Sequence, residues 1–385
     1  MQNYKSNPFS EVLITLGLGF VIGFATLAFI NGLAATELLH KRLNEGIPFH
    51  LLLIVPVLIL IEWTKRNMLY FPLRAAHITD EKSSGYWTVY MSLFHFIGTL
   101  LGHISGVSTG RESAVVLFSA GLSRMFRLTW TFWGPIAGAI GFSSVVGQYW
   151  VAPVFMMELF GKTRFIQKVY SFMGAMLAVL IVKSFNQDSI ISYEDIPTEM
   201  GFFKKLIFLF FFAACAGYLM RIYKFLYFKF SNYFNLRSLW VKAVFAMGLA
   251  VFLYLPEFRK FQGLGLLEIS HGQLATGSVL DALSKLFFTL ISTTLGFLGG
   301  EFIPLVYSGI NFGWGFFNYF GYNVLMGSAL GAYLLFAAAT RFKWTGYILA
   351  LSLLGSSWWF WAFFCVSIAV GFSGTTSIYR KEYAE

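Results

Sequence analysis

Gly296-Phe-Leu-Gly-Gly-Glu-Phe-Ile-Pro304 sets three glycines and one carboxylate against the start of an uncharged stretch that runs from Phe302 through Thr340. An apolar run of that length exceeds the roughly 20 residues that cross a hydrocarbon core. Glycine lets the backbone approach a ligand closely, and a helix beginning just after it turns free N–H groups and the positive end of its dipole toward that point. Pro304 fits the first turn of such a helix, where its missing N–H costs little. Bare amides in hydrocarbon are tolerated only where they line a cavity or bind something. The stretch therefore reads as a helix broken around a ligand. Gly106-Val-Ser-Thr-Gly-Arg-Glu-Ser113 has the same character. Two such breaks, one from each half of the chain and meeting near the midplane, make an anion site.

The flanking sequence is of one kind with these motifs. No Asp, Glu, Lys or Arg occurs in 12–36, 128–157 or 344–379, and shorter uncharged runs cover 51–61, 169–182, 206–220 and 243–256. The long runs predict membrane spans, and the short ones predict tilted partners, re-entrant pieces or half-helices. With 57% hydrophobic and 12% charged residues in 385, the chain carries about half the charge of a soluble protein, for which about 25% is usual. So little charge argues against a soluble domain, and the +10 net charge argues against a nucleic-acid binder, because it is scattered in ones and twos between apolar runs rather than gathered in a patch. Such charge solvates cytoplasmic loops. The expected class is an all-α polytopic membrane protein of the cell membrane, the inner membrane if the source is bacterial. Run 12–36 is too long for a signal peptide and predicts the first retained helix. Cys215 and Cys365 both fall in apolar runs and read as small core residues.

Residues 184–203 hold four acids and no Lys or Arg, a polar connector whose composition suggests the non-cytoplasmic side, whereas Lys162, Arg164 and Lys168 suggest the cytoplasmic side. It is expected to separate two halves, 1–183 and 204–385, of one membrane domain, and no cytoplasmic regulatory domain is expected. Aligning 145–161 with 339–355, an offset of 194, superposes Trp150 on Trp344, Ala152 on Gly346 and Gly161 on Gly355; Glu112 and Glu301 are 189 apart. The pattern predicts an inverted repeat.

Glu112 and Glu301 are the candidate functional acids. A carboxyl near the membrane centre costs roughly 2.5–3.5 kcal/mol, which makes it a functional hypothesis by default. The bland alternative pairs Glu112 with Arg111 or Arg124 and places Glu301 at a membrane surface, capping a helix. A carboxyl that alternates between proton donor and anion inside an anion pathway couples the two movements.

Gly110-Arg111-Glu112 followed by Ser-Ala-Val-Val resembles the GREGP motif of the CLC chloride channels and proton-coupled antiporters, and Gly300-Glu301-Phe302-Ile303-Pro304 resembles their GxFxP motif. Val154-Phe155-Met156-Met157-Glu158 is similar to their helix that ends in a glutamate, and Gly374-Thr375-Thr376-Ser377-Ile378-Tyr379 to their last helix, whose tyrosine hydroxyl reaches the central anion. Order and spacing agree over roughly residues 10–382. The resemblance implies a CLC-like inverted repeat of tilted and broken helices, a homodimer with a pathway in each subunit, and no cofactor. Gly-Gly-Glu before Phe-x-Pro is similar to the branch that exports fluoride against protons. By that resemblance Glu112 is the gating glutamate, Glu301 a second acid that donates a hydrogen bond to fluoride, and Tyr379 a neutral hydroxyl donor. Backbone around Gly110, Arg111, Phe302 and Ile303 completes the anion site. Leu159 stands where chloride–proton antiporters have an internal proton-accepting glutamate, which also suits the fluoride branch.

Three departures stand out. Ser113 replaces the last glycine of GREG, and Ile303 replaces a threonine common in the fluoride branch. Leu69-Tyr70-Phe71-Pro72-Leu73 occupies the place of the chloride members' Gly-Ser-Gly-Ile-Pro without its serine, a loss the fluoride branch shares. The resulting expectation is proton-coupled fluoride export, with a chloride channel or chloride–proton antiporter as the alternative. A membrane enzyme is the remote alternative, because no His-Glu-x-x-His, phosphate loop or nucleophile elbow occurs. His95 and His103, about 12 Å apart on one helix at 1.5 Å per residue, are too far apart to share a metal ion and read as satisfied or interfacial. Gly17, Gly19, Gly23 and Gly32 predict close helix packing within the chain.

Overall fold

Three of the four long uncharged runs fold as pairs of helices rather than as single spans. The computed structural model describes residues 8–44, 49–67, 89–126, 128–161, 163–185, 201–265 and 277–379. Among these are α1 (Pro8–Asn44), α2 (Ile54–Asn67), α3 (Val89–Ile104), α4 (Glu112–Met125), α5 (Trp130–Val146), α6 (Val151–Phe160) and α7 (Phe165–Phe185) in the first half. The second half contains α8 (Phe202–Asn235), α9 (Leu239–Tyr254), α10 (Val279–Leu295), α11 (Phe302–Tyr319), α12 (Val324–Thr340), α13 (Lys343–Leu354) and α14 (Trp359–Phe372). The architecture is all-helical, as the composition predicts, and the sole β feature among the described residues is an isolated bridge.

Run 128–157 divides at Gly147, which ends α5 in a left-handed conformation at φ 76°. Run 302–340 divides where Asn323 Oδ1 accepts from the amides of Leu325 and Met326 at 3.0 and 3.3 Å and so starts α12. Run 344–379 divides at Gly355. Conversely, the short runs 169–182 and 206–220 lie inside α7 and α8, which with α1 are the three helices among the described residues long and apolar enough to cross a membrane. Their uncharged length understates them because lysines are accommodated within the helix. Lys205 lies 4.0 and 4.7 Å from the ring centroids of Trp358 and Trp361, and Lys224 is buried among backbone carbonyls.

The two halves repeat element by element. α5 (130–146) and α12 (324–340) have identical length at an offset of 194, and α1 and α8 begin 194 residues apart. Gly147 and Arg341 end α5 and α12 at equivalent positions in the same left-handed conformation, at φ 76° and 60°. Around the motifs the offset shortens to 190, since α4 begins at Glu112 and α11 at Phe302. The glutamates are therefore not equivalent positions: Glu112 matches Phe302, and Arg111 matches Glu301. Most of the connector 184–203, and residues 69–73, lie outside the described residues.

Small residues set the packing. Added Cβ atoms at Gly19 and Gly23 would lie 2.5 Å from Gly174 O and 3.0 Å from Ala178 Cα, so α1 meets α7 backbone to backbone. Gly32 faces Leu100, whereas Gly17 touches nothing within 4 Å. In the second half Gly309 and Gly313 of α11 abut Gly331 and Gly327 of α12. Cys215 and Cys365 are free thiols.

Glu158, near the end of α6, caps the other half. Its Oε1 and Oε2 each accept at 2.8 Å, from the amides of Trp344 and Thr345 in the first turn of α13. The carboxylate satisfies two orphan donors at a helix N-terminus. Replacing it by alanine is expected to destabilise the protein by about 1–3 kcal/mol without altering anion preference. Thermal unfolding in detergent reads this directly, and an unchanged midpoint would show the cap to be dispensable.

Candidate functional site

The two glycine-rich breaks pair with each other. Gly110 N–H donates to Gly300 O and Gly300 N–H donates back to Gly110 O at 2.9 Å, an antiparallel bridge between equivalent residues of the two halves. Reciprocal pairing of equivalent residues is what a local two-fold axis between them produces. Side chains have no room here: a Cβ on Gly300 would lie 2.9 Å from Ser113 Cβ, and one on Gly110 would lie 2.8 Å from Gly300 O. Ser113, which departs from the motif, thus packs on Gly300.

The bridge brings the starts of α4 and α11 together. Glu112, the first residue of α4, is 2% exposed. Its Oε2 accepts from Arg111 N–H at 3.1 Å, and the amides of Glu112 itself and of Ile303 also face the carboxylate. Arg111 Nε lies 3.6 Å from Oε1, so the neighbouring pair of the alternative reading exists in loose form. Arg124 instead stacks over Trp130 at 5.4 Å. The carboxylate thus occupies amides drawn from both helix N-termini, the place where an anion binds.

Glu301 occupies the N-cap position of α11, yet its side chain makes no capping bond and is 3% exposed. The surface-cap alternative is thereby removed. Tyr227 of α8 donates its hydroxyl to Glu301 Oε1 at 3.0 Å. The Tyr379 hydroxyl meets the Glu301 backbone N–H, with Glu112, Glu301 and Tyr227 as its ionisable neighbours. Glu112, Arg111, Ile303, Glu301 and Tyr379 therefore converge, although they come from three separate segments.

The Tyr379 segment is not the continuous last helix that its resemblance predicts. After α14 the chain turns at Gly374 and runs 373–379 without helix. Its polar groups are captured sideways: Lys224 Nζ donates to Thr376 O at 2.6 Å, Ser377 Oγ to Thr340 O at 2.6 Å, and Ile378 N–H to Ala339 O at 3.2 Å. These bonds lay the segment over the end of α12 and seat Tyr379 in the site.

Two aromatic residues escape sequence reasoning, because they lie in long apolar helices with no local motif. Tyr227 is fully buried, and Tyr333 of α12 lies near enough to Glu112 to interact with its charge. Phe302, the pseudo-equivalent of Glu112, packs edge-on against Phe142 and Phe336 at centroid distances of 5.4 and 4.7 Å. Phe142 stacks on Phe155 at 3.9 Å. The site has one polar wall of amides, acids and hydroxyls and one aromatic wall. No group of residues suited to a metal ion occurs among the described residues. Tyr227→Phe is expected to slow anion transport by roughly tenfold, the equivalent of one hydrogen bond of about 1.4 kcal/mol, with unchanged thermal stability above that increment. Rates in reconstituted vesicles check it.

Two repeated halves of broken helices, joined at paired glycines around a carboxylate held by backbone amides, define a polytopic transport protein of the membrane. The chain belongs to the voltage gated chloride channel family, matching it over residues 72–374. Solved structures share the whole fold. A CLC-type fluoride/proton antiporter superposes with a TM-score of 0.84 at 20% identity, covering 97% of this chain and 98% of that one. A slow cyanobacterial Cl⁻/H⁺ antiporter superposes equally well, 0.84 at 13% identity and 97% of each chain. A eukaryotic CLC transporter gives 0.76 at 14% identity, covering 96% of this chain and 72% of that one. No curated protein sequence matches significantly.

Proposed function

We propose that this protein exports fluoride in exchange for protons, with Glu112 as the gate and Glu301 as the second acid. The observation that carries the reading is the second buried carboxyl. Glu301 is held by Tyr227 on one oxygen and lies beside the Tyr379 hydroxyl, in the same pocket as Glu112. A protonated carboxyl is an O–H donor, and hydrogen bonds involving an ion are roughly twice as strong as neutral ones. Fluoride, small and strongly accepting, gains more from such a donor than chloride does.

In this mechanism a proton taken up by Glu112 neutralises its carboxylate, and the group leaves the amides of Arg111 and Ile303. Fluoride then takes those amides, with the hydroxyl of Tyr379 and the protonated Glu301 completing its shell. Deprotonation returns the Glu112 carboxylate to the amides and expels the anion, so one site is used alternately by a carboxylate and by fluoride. Leu159, buried on α6, provides no separate internal acid, and Glu112 carries the proton itself.

The test is reconstitution in vesicles loaded with fluoride or chloride, read by an anion electrode and a proton probe. Fluoride efflux with proton uptake is expected. Glu301→Gln, whose amide N–H is a weaker donor than a carboxylic O–H and can neither take up nor release a proton, should impair fluoride flux roughly tenfold, the equivalent of about 1.4 kcal/mol, and affect residual chloride flux less. Chloride flux of equal size, or fluoride flux without proton movement, would overturn the reading; equal impairment of both anions in Glu301→Gln would leave that residue a structural role only.

A further inference from the structure

The end of α12 is a socket for the segment that carries Tyr379. A helix leaves its last carbonyls without intrahelical donors, and here three of them are taken from outside. Ala338 O accepts from Lys224 Nζ at 3.2 Å, Ala339 O from Ile378 N–H at 3.2 Å and Thr340 O from Ser377 Oγ at 2.6 Å. Lys224 is 1% exposed and also donates to the segment itself, at 3.2 Å to Ser373 Oγ and 2.6 Å to Thr376 O. An ammonium carries three donors, and a helix C-terminus is the end that favours a cation. The two hydroxyls that meet Glu301 flank Lys224: Tyr227 lies one turn further along α8, and Tyr379 three residues beyond Thr376.

Arg341, directly after α12, adds a second cation. Its Nη1 donates to Gly374 O, where the chain turns after α14 at φ 81°, and the Arg221 side chain lies beside the same turn. Arg341 is the sole non-glycine residue with positive φ among the described residues. Its counterpart at the end of α5, in the same conformation, is Gly147, the residue type that such backbone favours. Strained non-glycine residues cluster where the side chain has a task. Here the guanidinium reaches Gly374 O, which no glycine could do. Saturation of a buried helix end is not general in this chain: His103, in the last turn of α3, is 1% exposed with no hydrogen-bond partner on either ring nitrogen. It is neither satisfied nor interfacial, contrary to the sequence expectation.

We propose that Arg341 and Lys224 are positioning residues that lock the segment 373–379 against α12, and that the strained backbone at Arg341 is kept because its guanidinium fixes where the Tyr379 hydroxyl stands. The two cations hold Gly374 O and Thr376 O, while Ser377 and Ile378 are tied to α12, so four of the residues leading to Tyr379 are each held by a hydrogen bond. Release of one carbonyl lets the segment shift and carries the hydroxyl away from the Glu301 amide. The inference rests on Tyr379 facing the transported anion, as proposed above.

The test is a double-mutant cycle on the intact protein in vesicles, with fluoride and chloride fluxes read together. Arg341→Gly keeps the helix end, since glycine adopts positive φ freely, and removes the guanidinium. Its thermal midpoint is expected to stay near the wild-type value, because relief of the backbone offsets the lost hydrogen bond. KM for the transported anion is expected to rise roughly tenfold, the equivalent of one hydrogen bond, and Arg341→Lys, which retains an N–H donor, should recover most of it. In a Tyr379→Phe background the same glycine substitution should raise KM by roughly twofold or less, because the hydroxyl it positions is gone and the two losses are not additive. A tenfold rise in both backgrounds, or no rise in either, would overturn the lock. So would a rise that vanishes at about 1 M of a salt whose anion is not transported, where the Debye length is about 3 Å, since that marks a guanidinium that attracts anions at a distance. Lys224→Gln, which keeps a donor at the buried site, should show the same non-additivity with Tyr379→Phe, and full additivity would remove Lys224 from the lock. Coupling between Arg341 and Tyr379 in a protein that carries chloride as fast as fluoride would support the lock and overturn the exporter reading alone.

Discussion

Glu112→Gln is expected to reduce proton movement during fluoride efflux to background, a fall of at least about 10²-fold, the lower range for loss of a positioned proton-transferring group. The geometry gives the reason. Glutamine fills the same volume and still faces the amides of Arg111, Glu112 and Ile303, so the fold and the anion site persist. What it lacks is the ability to exist as either anion or neutral acid. Coupled exchange needs both forms, because the carboxylate competes with the anion for the amides and its protonated form does not. Simultaneous recording of fluoride and proton fluxes separates the cases. Proton uptake at the wild-type ratio in Glu112→Gln would show that another group carries the proton, and the mechanism proposed for Glu112 would fail.

Gly299→Ala is the second large effect. Gly299 has φ 130°, a region side chains avoid, and an added Cβ would lie 2.6 Å from Gly110 O and 2.8 Å from Thr109 Cβ. The strained backbone costs roughly 1–3 kcal/mol and the overpacking a further 1–3 kcal/mol or so, together about 2–6 kcal/mol. The displaced atoms belong to the bridge that joins the two halves, so transport should fall more steeply than stability alone predicts. Gly17→Ala is the matched control, because nothing lies within 4 Å of its added Cβ. A thermal midpoint and flux equal to those of Gly17→Ala would show the Gly110–Gly300 contact to be unnecessary.

Much of the site was legible because its signals are local. A glycine pair followed by a carboxylate and an apolar helix is visible in eight residues, whatever the rest of the chain does. The repeat was also legible, with its 194-residue offset at 145–161 and 339–355, but its register at the motifs was off by one: counting from glutamate to glutamate gives 189, while the helix starts and the glycine bridge give 190. Only the paired backbones reveal that Phe302, not Glu301, is the counterpart of Glu112. The spans were misjudged where hydropathy alone was counted. A window of uncharged residues does not register a turn at Gly147 or Gly355, nor does it credit a helix such as α8 whose lysines are held by aromatic rings and carbonyls.

Sequence alone determined that this chain lives in a bilayer, that its helices break at Gly-rich turns, and that Glu112 and Glu301 lie at those breaks, since composition and short motifs carry that information. Tertiary structure decided which side chains complete the pocket. Tyr227 is 74 residues from Glu301, and Tyr379 reaches the site because Lys224 and Thr340 capture the carbonyl and hydroxyl of a non-helical segment. Such partners are chosen by packing across the fold, and no periodicity along the chain records them.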